Sequence, residues 1–296
     1  MRNLPVAGIC AAMLALLSVA TAQQVPATAF QVHQLTPDVY WVEGGGGNSG
    51  IVVGNHGVIV IDAKMTPAGG KELLEDVAKI TPKPVTTVIL THSDIDHIGG
   101  LAAFPTSLTI IAHKNDLKEQ EEALKKGGRG APSPDHLPSR TISSNKEDLT
   151  IDGVRFELLH WAPAHTSGDL VVFLPAEKIV FTGDIITTTF HGPLIHQAKG
   201  GTSLGWIAST KGILGLDATR FVPGHGDVQD KAEIRKRLSD AETERVEIKK
   251  LVAKGESLQQ VEAAVGDPAP GAVGGQGPHF PSYSEVVYRE LTDKAN

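Results

Sequence analysis

The chain has 296 residues, 41% of them hydrophobic and 21% charged, which is enough for one large domain or two tightly packed halves with an ample core. Its formal net charge is −7, from 27 Lys and Arg against 34 Asp and Glu. No cationic run offsets this apart from residues 231–237, which fall on a predicted helix, so the surface repels phosphate backbones and nucleic acid is a poor candidate substrate.

Arg2, an apolar run over residues 4–20 and then Ala20-Thr21-Ala22 read as a secretory signal peptide cleaved after Ala22. A membrane anchor needs a longer apolar span. The sole cysteine, Cys10, lies inside this segment, and Ile9 precedes it where a lipoprotein signal wants a small residue. The mature chain is therefore expected to be periplasmic or secreted, without stable membrane insertion. It would have no disulfide and no thiolate metal ligand.

Residues 31–43 read as two short strands broken by Thr36-Pro37-Asp38, followed by a Gly-rich bend at 44–47. Residues 51–53 and 58–62 are nearly continuous β-branched runs suited to buried strands. Leu73, Leu74, Val77 and Ile80 have helical spacing and predict a helix over 67–80. Further strands are expected at 85–90, 108–113, 149–151, 155–159, 170–174, 179–182 and around Phe221. Helices are expected at 116–126, 204–214, 230–253, 258–264 and 283–291. Residues 127–138 and 266–278 are rich in Gly and Pro and read as loops. Two runs of strands, each mixed with and followed by helices, predict two sheets packed face to face with helices outside. The expected division is a signal peptide at 1–22, the main domain at 23–252 and a C-terminal helical extension at 253–296.

Four clusters share one peculiarity. His92-Ser93-Asp94-Ile95-Asp96-His97 follows a strand, and His165 sits in "PAHTSGD". Asp184 lies just past a strand in "FTGD", and His225 sits in "VPGHG". Each places His or Asp in a turn just beyond a buried strand. Strands that end together can aim such side chains at one point. Imidazole and carboxylate together suit zinc, iron or manganese.

The order HxxxDH, then HTSGD, then GD, then GHG closely resembles the metallo-β-lactamase-fold superfamily, over about residues 39–225. The resemblance is to its bridging-aspartate members, glyoxalase II-like and lactonase-like. It implies an αββα sandwich, class α/β, with two divalent metal ions at one edge. Zinc is the expected metal, with manganese or iron as alternatives. Carried over position by position, His92, Asp94 and His165 would hold the first ion. Asp96, His97 and His225 would hold the second, and Asp184 would bridge them, with a shared hydroxide between. Asp96 and Asp184 are assigned as the catalytic carboxylates. The sequence departs from the pattern at Asp94, where HxHxDH has become HxDxDH. An aspartate oxygen sits one bond beyond Cγ, as imidazole Nδ1 does, so ligation there is retained in this reading. The centre nevertheless becomes one charge less positive, which weakens it as a Lewis acid and favours harder ions.

Asp62 resembles a family position that supports the metal loop from behind. Thr166, Ser167 and Asp169 are expected to shape the His165 turn. His191 and His196 are candidate substrate contacts. His160 is expected to be packed, and His33, His56, His113, His136 and His279 to be ordinary surface or strand-end residues. The activity implied is hydrolysis of an ester, lactone, thioester or β-lactam-type amide in a small-molecule substrate. Two alternatives are a mononuclear iron oxygenase, like the persulfide dioxygenases, on His92, His165 and Asp184, and a non-catalytic metal-binding relative.

Overall fold

The computed structural model describes residues 30–128, 131–190, 192–266 and 280–293. The expected signal peptide, His191, His279 and most of the Gly/Pro-rich segment before residue 280 lie outside these residues. Among the described residues no helix is long and apolar enough to cross a membrane.

The first sheet has seven strands in chain order: β1 (Gln31–Thr36), β2 (Val39–Glu43), β3 (Ser49–Val53), β4 (Val58–Ile61), β5 (Val85–Ile89), β6 (Thr109–His113) and β7 (Arg140–Ile142). It is antiparallel as far as β4 and parallel from β4 to β7. The second sheet holds β8 (Lys146–Ile151), β9 (Val154–Leu159), β10 (Val171–Leu174), β11 (Ile179–Phe181) and β12 (Arg220–Val222), in the order β12-β11-β10-β9-β8. Only its β11–β12 pair is parallel.

The strand period of two sorts the β-branched runs into layers. In β4, Ile59 and Ile61 face the second sheet and pack with Phe156, Leu158, Val172, Leu174 and Phe181. Val58 and Val60 face the other way, against Leu73 and Val77 of α1 (Pro67–Ile80). The outer face of the second sheet, with Val171, Phe173, Val180 and Phe221, is covered by helices α4 (Ser203–Gly215), α5 (Lys231–Ala253), α6 (Leu258–Val265) and α7 (Tyr283–Thr292). The fold is therefore the expected αββα sandwich. Tyr283, Val286 and Val287 of α7 are almost fully buried in this outer core. α2 (Ile95–Ile98) and α3 (Lys114–Lys126) complete the α-helices of the described residues.

Two features escape the sequence reading. β7 is only three residues long, too short for an alternation to show. β8 begins at Lys146 rather than Leu149, because its first half is charged. Those charges are paired across the hairpin with β9: Lys146 meets Glu157 at 2.7 Å and Arg155 meets Asp148 at 2.8 Å. His136 is not the surface residue expected. It is 5% exposed in a short 3-10 turn, Pro134–His136, where its ring accepts from Ser133 Oγ at 2.8 Å and donates to the Phe104 carbonyl at 2.9 Å. His113 does end a strand, and its ring stacks on the packed His160.

The inter-sheet layer sets the stability. Phe156→Ala, which empties a site with 0% exposure, should cost about 3–5 kcal/mol in urea unfolding. Leu204→Ala, at a position 59% exposed, should stay within about 0.5 kcal/mol.

Candidate metal centre

All four clusters leave the sandwich at one edge. β5 ends at Ile89 and delivers His92, Asp94, Asp96 and His97; His165 precedes β10, Asp184 follows β11 and His225 follows β12. Asp94 is the residue before α2, the position whose side chain usually caps the helix, yet it makes no capping bond. Its carboxylate is turned toward the other clusters instead.

The histidine rings are fixed from behind. Asp62 accepts from the Thr91 backbone N–H at 2.8 Å, from Thr91 Oγ1 at 2.6 Å and from His97 Nδ1 at 2.8 Å. Thr91 Oγ1 is thereby committed as a donor to Asp62, so His92 Nδ1, 3.0 Å away, donates to it. His165 Nδ1 donates to the Leu194 carbonyl at 3.0 Å. These bonds leave the Nε2 of each ring as the atom turned to the site, the arrangement common to metal-ligating imidazoles. Asp169 holds the His165 turn by accepting from Thr166 N, Thr166 Oγ1 and Ala164 N. Asp62 thus lies behind His97 and Thr91, and Asp169 lies inside the His165 turn.

Two groups of ligand-type side chains result. His92, Asp94 and His165 form one, and Asp96, His97, Asp184 and His225 the other, with the ligand atoms in each group within 4.8 Å of one another. Asp184 also reaches the first group. Its Oδ2 lies 3.9 Å from His92 Nε2, 3.8 Å from His165 Nε2 and 3.5 Å from His225 Nε2. The backbone has made room for this crowding. A Cβ on Gly224 would stand 1.8 Å from Asp184 Oδ1, and one on Gly47 would stand 2.2 Å from the His97 ring.

A donor set built for a cation leaves buried donors unsatisfied in its absence. His92 Nε2, His97 Nε2 and Asp184 Oδ1 are all buried without a hydrogen-bond partner. The electrostatics agree. Burial opposes a proton on His97, yet Asp184, Asp62 and Asp96 together hold its pKa well above the usual imidazole range. Burial likewise opposes a proton on His165, but hydrogen bonding to Asp94 raises its pKa to about 9, and Asp184 does the same for His225, again to about 9. Burial would raise Asp94, but hydrogen bonds from His165 and His196 hold it well below the carboxylate range. Asp184 is held down in the same sense by His225 and His97. His92, buried next to His97, has its pKa pushed well below normal. The imidazoles raised and the carboxylates lowered are the pattern of groups gathered around a shared need for positive charge, which divalent ions would supply.

The residues fit divalent metal ions, and the comparisons with known proteins agree. The sequence model of the metallo-β-lactamase superfamily matches residues 42–225. The chain belongs to this superfamily. It is 32% identical to the alpha subunit of 2,4-dinitroanisole O-demethylase from Nocardioides sp. (strain JS1661), over 59% of this chain and 51% of that one. It is 30% identical to a type 2 metallo-β-lactamase of Bacillus cereus, over 62% of this chain and 69% of that one. The chain spans between half and two thirds of the two demethylase subunits it matches, 51% of the alpha and 62% of the beta. The stereoselective inverting sec-alkylsulfatase Pisa1 from Pseudomonas sp. shares the fold, with a TM-score of 0.66 at 17% identity, covering 89% of this chain and 50% of that one. Members of the superfamily bind metal ions, and its hydrolase-type members are among these relatives.

Sequence reasoning missed three residues that the structure brings to the edge. Lys199 Nζ stands 2.7 Å from Asp94 Oδ1. The Phe190 ring meets His225 edge-on at 6.0 Å between centroids, and the Phe280 ring lies 6.1 Å from His165 and 5.0 Å from His196. His196, expected as a substrate contact, has its Nδ1 3.1 Å from both Asp94 oxygens.

Asp62→Ala should remove the acceptor that orients His97 and anchors Thr91, lowering zinc affinity of the apo-protein by about 10–100-fold in chelator competition. Below about pH 9, His165 and His225 carry protons that a metal must displace. Zinc uptake near pH 7.5 should therefore release about two to three protons, counting His97, read from the buffer dependence of the binding enthalpy. The release should fade, and apparent affinity should level off, as pH rises through about 9.

Proposed function

We propose that the protein is a metal-dependent hydrolase that cleaves an ester, lactone, thioester or β-lactam-type amide in a small molecule, with two divalent ions, zinc first. The observation that carries this reading is that both ligand groups are complete and that Asp184 reaches into each of them. His92, Asp94 and His165 would hold one ion, Asp96, His97 and His225 the other, and Asp184 both. When bound, the ions would activate a water molecule and polarise the bond to be broken.

The side chains supply the rest. Asp96 and His225 are the exposed rim of the site, with side chains 21% and 20% accessible, so substrate approaches past them. The Asp96 carboxylate, opposed by burial but held ionised by His97 and His225, would serve as the proton acceptor at the mouth of the site. Phe190 beside His225 and Phe280 beside His165 and His196 add apolar surface to this edge, which favours a substrate with an apolar substituent over a compact ion. The demethylase relatives add a nitroaryl methyl ether to the bonds worth testing.

Metal analysis after expression in balanced metals, joined to a panel of chromogenic lactone, ester, thioester and cephalosporin substrates and 2,4-dinitroanisole, tests the reading. Two zinc or manganese ions per chain with hydrolytic turnover are expected. Asp184→Ala should lower both occupancies together and abolish turnover. A single tightly held iron with no hydrolysis would favour oxygenase chemistry on His92, His165 and Asp184 instead.

A further inference from the structure

Lys199 is not of ligand type, but it changes the charge of the first ligand group. It ends a short 3-10 turn, Gln197–Lys199, followed by Gly200 in the left-handed region at φ 79°. Its backbone is pinned on both sides: its N–H donates to the His196 carbonyl at 2.9 Å and its carbonyl accepts from Ser167 N–H at 2.8 Å. Its ammonium group donates to the Ser93 carbonyl at 2.9 Å and to Ser93 Oγ at 2.7 Å, besides its 2.7 Å approach to Asp94 Oδ1. Ser93 Oγ in turn donates to Glu119 Oε2, and the other Glu119 oxygen accepts from Ser167 Oγ at 2.7 Å. An ammonium with three partners, on a side chain only 26% exposed, is a placed charge rather than a solvated one.

Asp94 is consequently used on both edges. Oδ2 faces the site, 3.0 Å from His165 Nε2 and 3.9 Å from His92 Nε2. Oδ1 faces Lys199, with His196 Nδ1 spanning the two oxygens. An aspartate in place of a neutral imidazole adds one negative charge, and the adjacent ammonium adds one positive charge.

We infer that Lys199 is the counter-charge of Asp94, the two forming a net-neutral unit that takes the place of a histidine ligand at the first cation position. This rests on the reading of His92, Asp94 and His165 as a cation site. Lys199 is a positioning residue in this role. Acting through Asp94 Oδ1, it tempers the attraction of the carboxylate for a divalent ion, so that the variant motif keeps the charge of the ordinary one. The turn carrying Lys199 is bonded to the His165 loop, so the counter-charge and a ligand are placed by the same piece of backbone.

The test is zinc titration of the apo-protein against a chelator, with thermal melting as a control for folding. The binding step that Asp94→Asn weakens identifies the first site. Lys199→Met should tighten that step by about tenfold, since a fixed positive charge close to the cation is removed. Lys199→Gln, which retains a donor without charge, should act alike and stands in if the methionine variant fails to fold. Lys199→Arg should stay within about threefold of the parent, because the charge is kept. In an Asp94→His background no carboxylate offsets the ammonium, so adding Lys199→Met should tighten the step further than it does beside Asp94. Unchanged affinity in both neutral variants would make Lys199 electrostatically irrelevant and overturn the inference. Weakened affinity would overturn it too, by showing that the lysine only props the carboxylate in place. A parent that binds one ion, with stoichiometry and affinity indifferent to Asp94→Asn, would instead overturn the cation site itself.

Discussion

The Asp62 carboxylate is the anchor on which the candidate site depends. It is 2% exposed and sits at the end of β4 with φ at 56°, a left-handed conformation that a non-glycine residue adopts only when its surroundings dictate it. What dictates it here is a cluster of three donors, all from the stretch after β5. One carboxylate thereby fixes the tautomer of His97 directly and that of His92 through Thr91. Losing it would free two rings at once, although it touches neither ligand group's open side.

The other constraint is charge. Asp94, Asp96 and Asp184 converge with four histidines in a space from which water is largely excluded. Such a cluster is tolerable only if cations fill it, whether protons, metal ions or the ammonium of Lys199. The raised pKa values of His165 and His225 and the lowered ones of Asp94 and Asp184 are two sides of this single requirement. Asp94 is where the requirement is met most elaborately, with imidazole on one oxygen and ammonium on the other.

Much of this was legible in the sequence because strand ends are legible. Alternating or continuous β-branched runs mark the buried strands, and His or Asp beside Gly or Pro just past them marks a loop aimed outward. That pattern located β4, β5, β11 and β12 and all the ligand-type residues. It could not locate β7, whose three residues carry no period, nor the charged half of β8, which is stable only through its partners on β9. It misjudged His136, because burial of a histidine inside a Gly/Pro-rich segment depends on a carbonyl 32 residues away. Lys199 was invisible for a similar reason. A lysine in "HQAKGGTS" reads as a solvated charge until the chain has folded it back against a residue 105 positions earlier, and only the odd aspartate at position 94 hints that a cation is owed to it.

The two sheets also meet at the site through their backbone. Asn48 N–H donates to the Gly224 carbonyl at 2.7 Å, and Leu170 N–H to the Thr91 carbonyl at 2.7 Å. Asn48 Nδ2 adds bonds to the carbonyls of Pro223 and Gly226. These bonds work as stitches along one seam of the sandwich, and the seam is where every ligand-type side chain emerges. Mechanically, then, the spacing of the donors is slaved to the spacing of the sheets. The two layers cannot slide or gape at this end without stretching the polygon of nitrogen and oxygen atoms, so the rigidity of the whole sandwich becomes the tolerance to which that polygon is held.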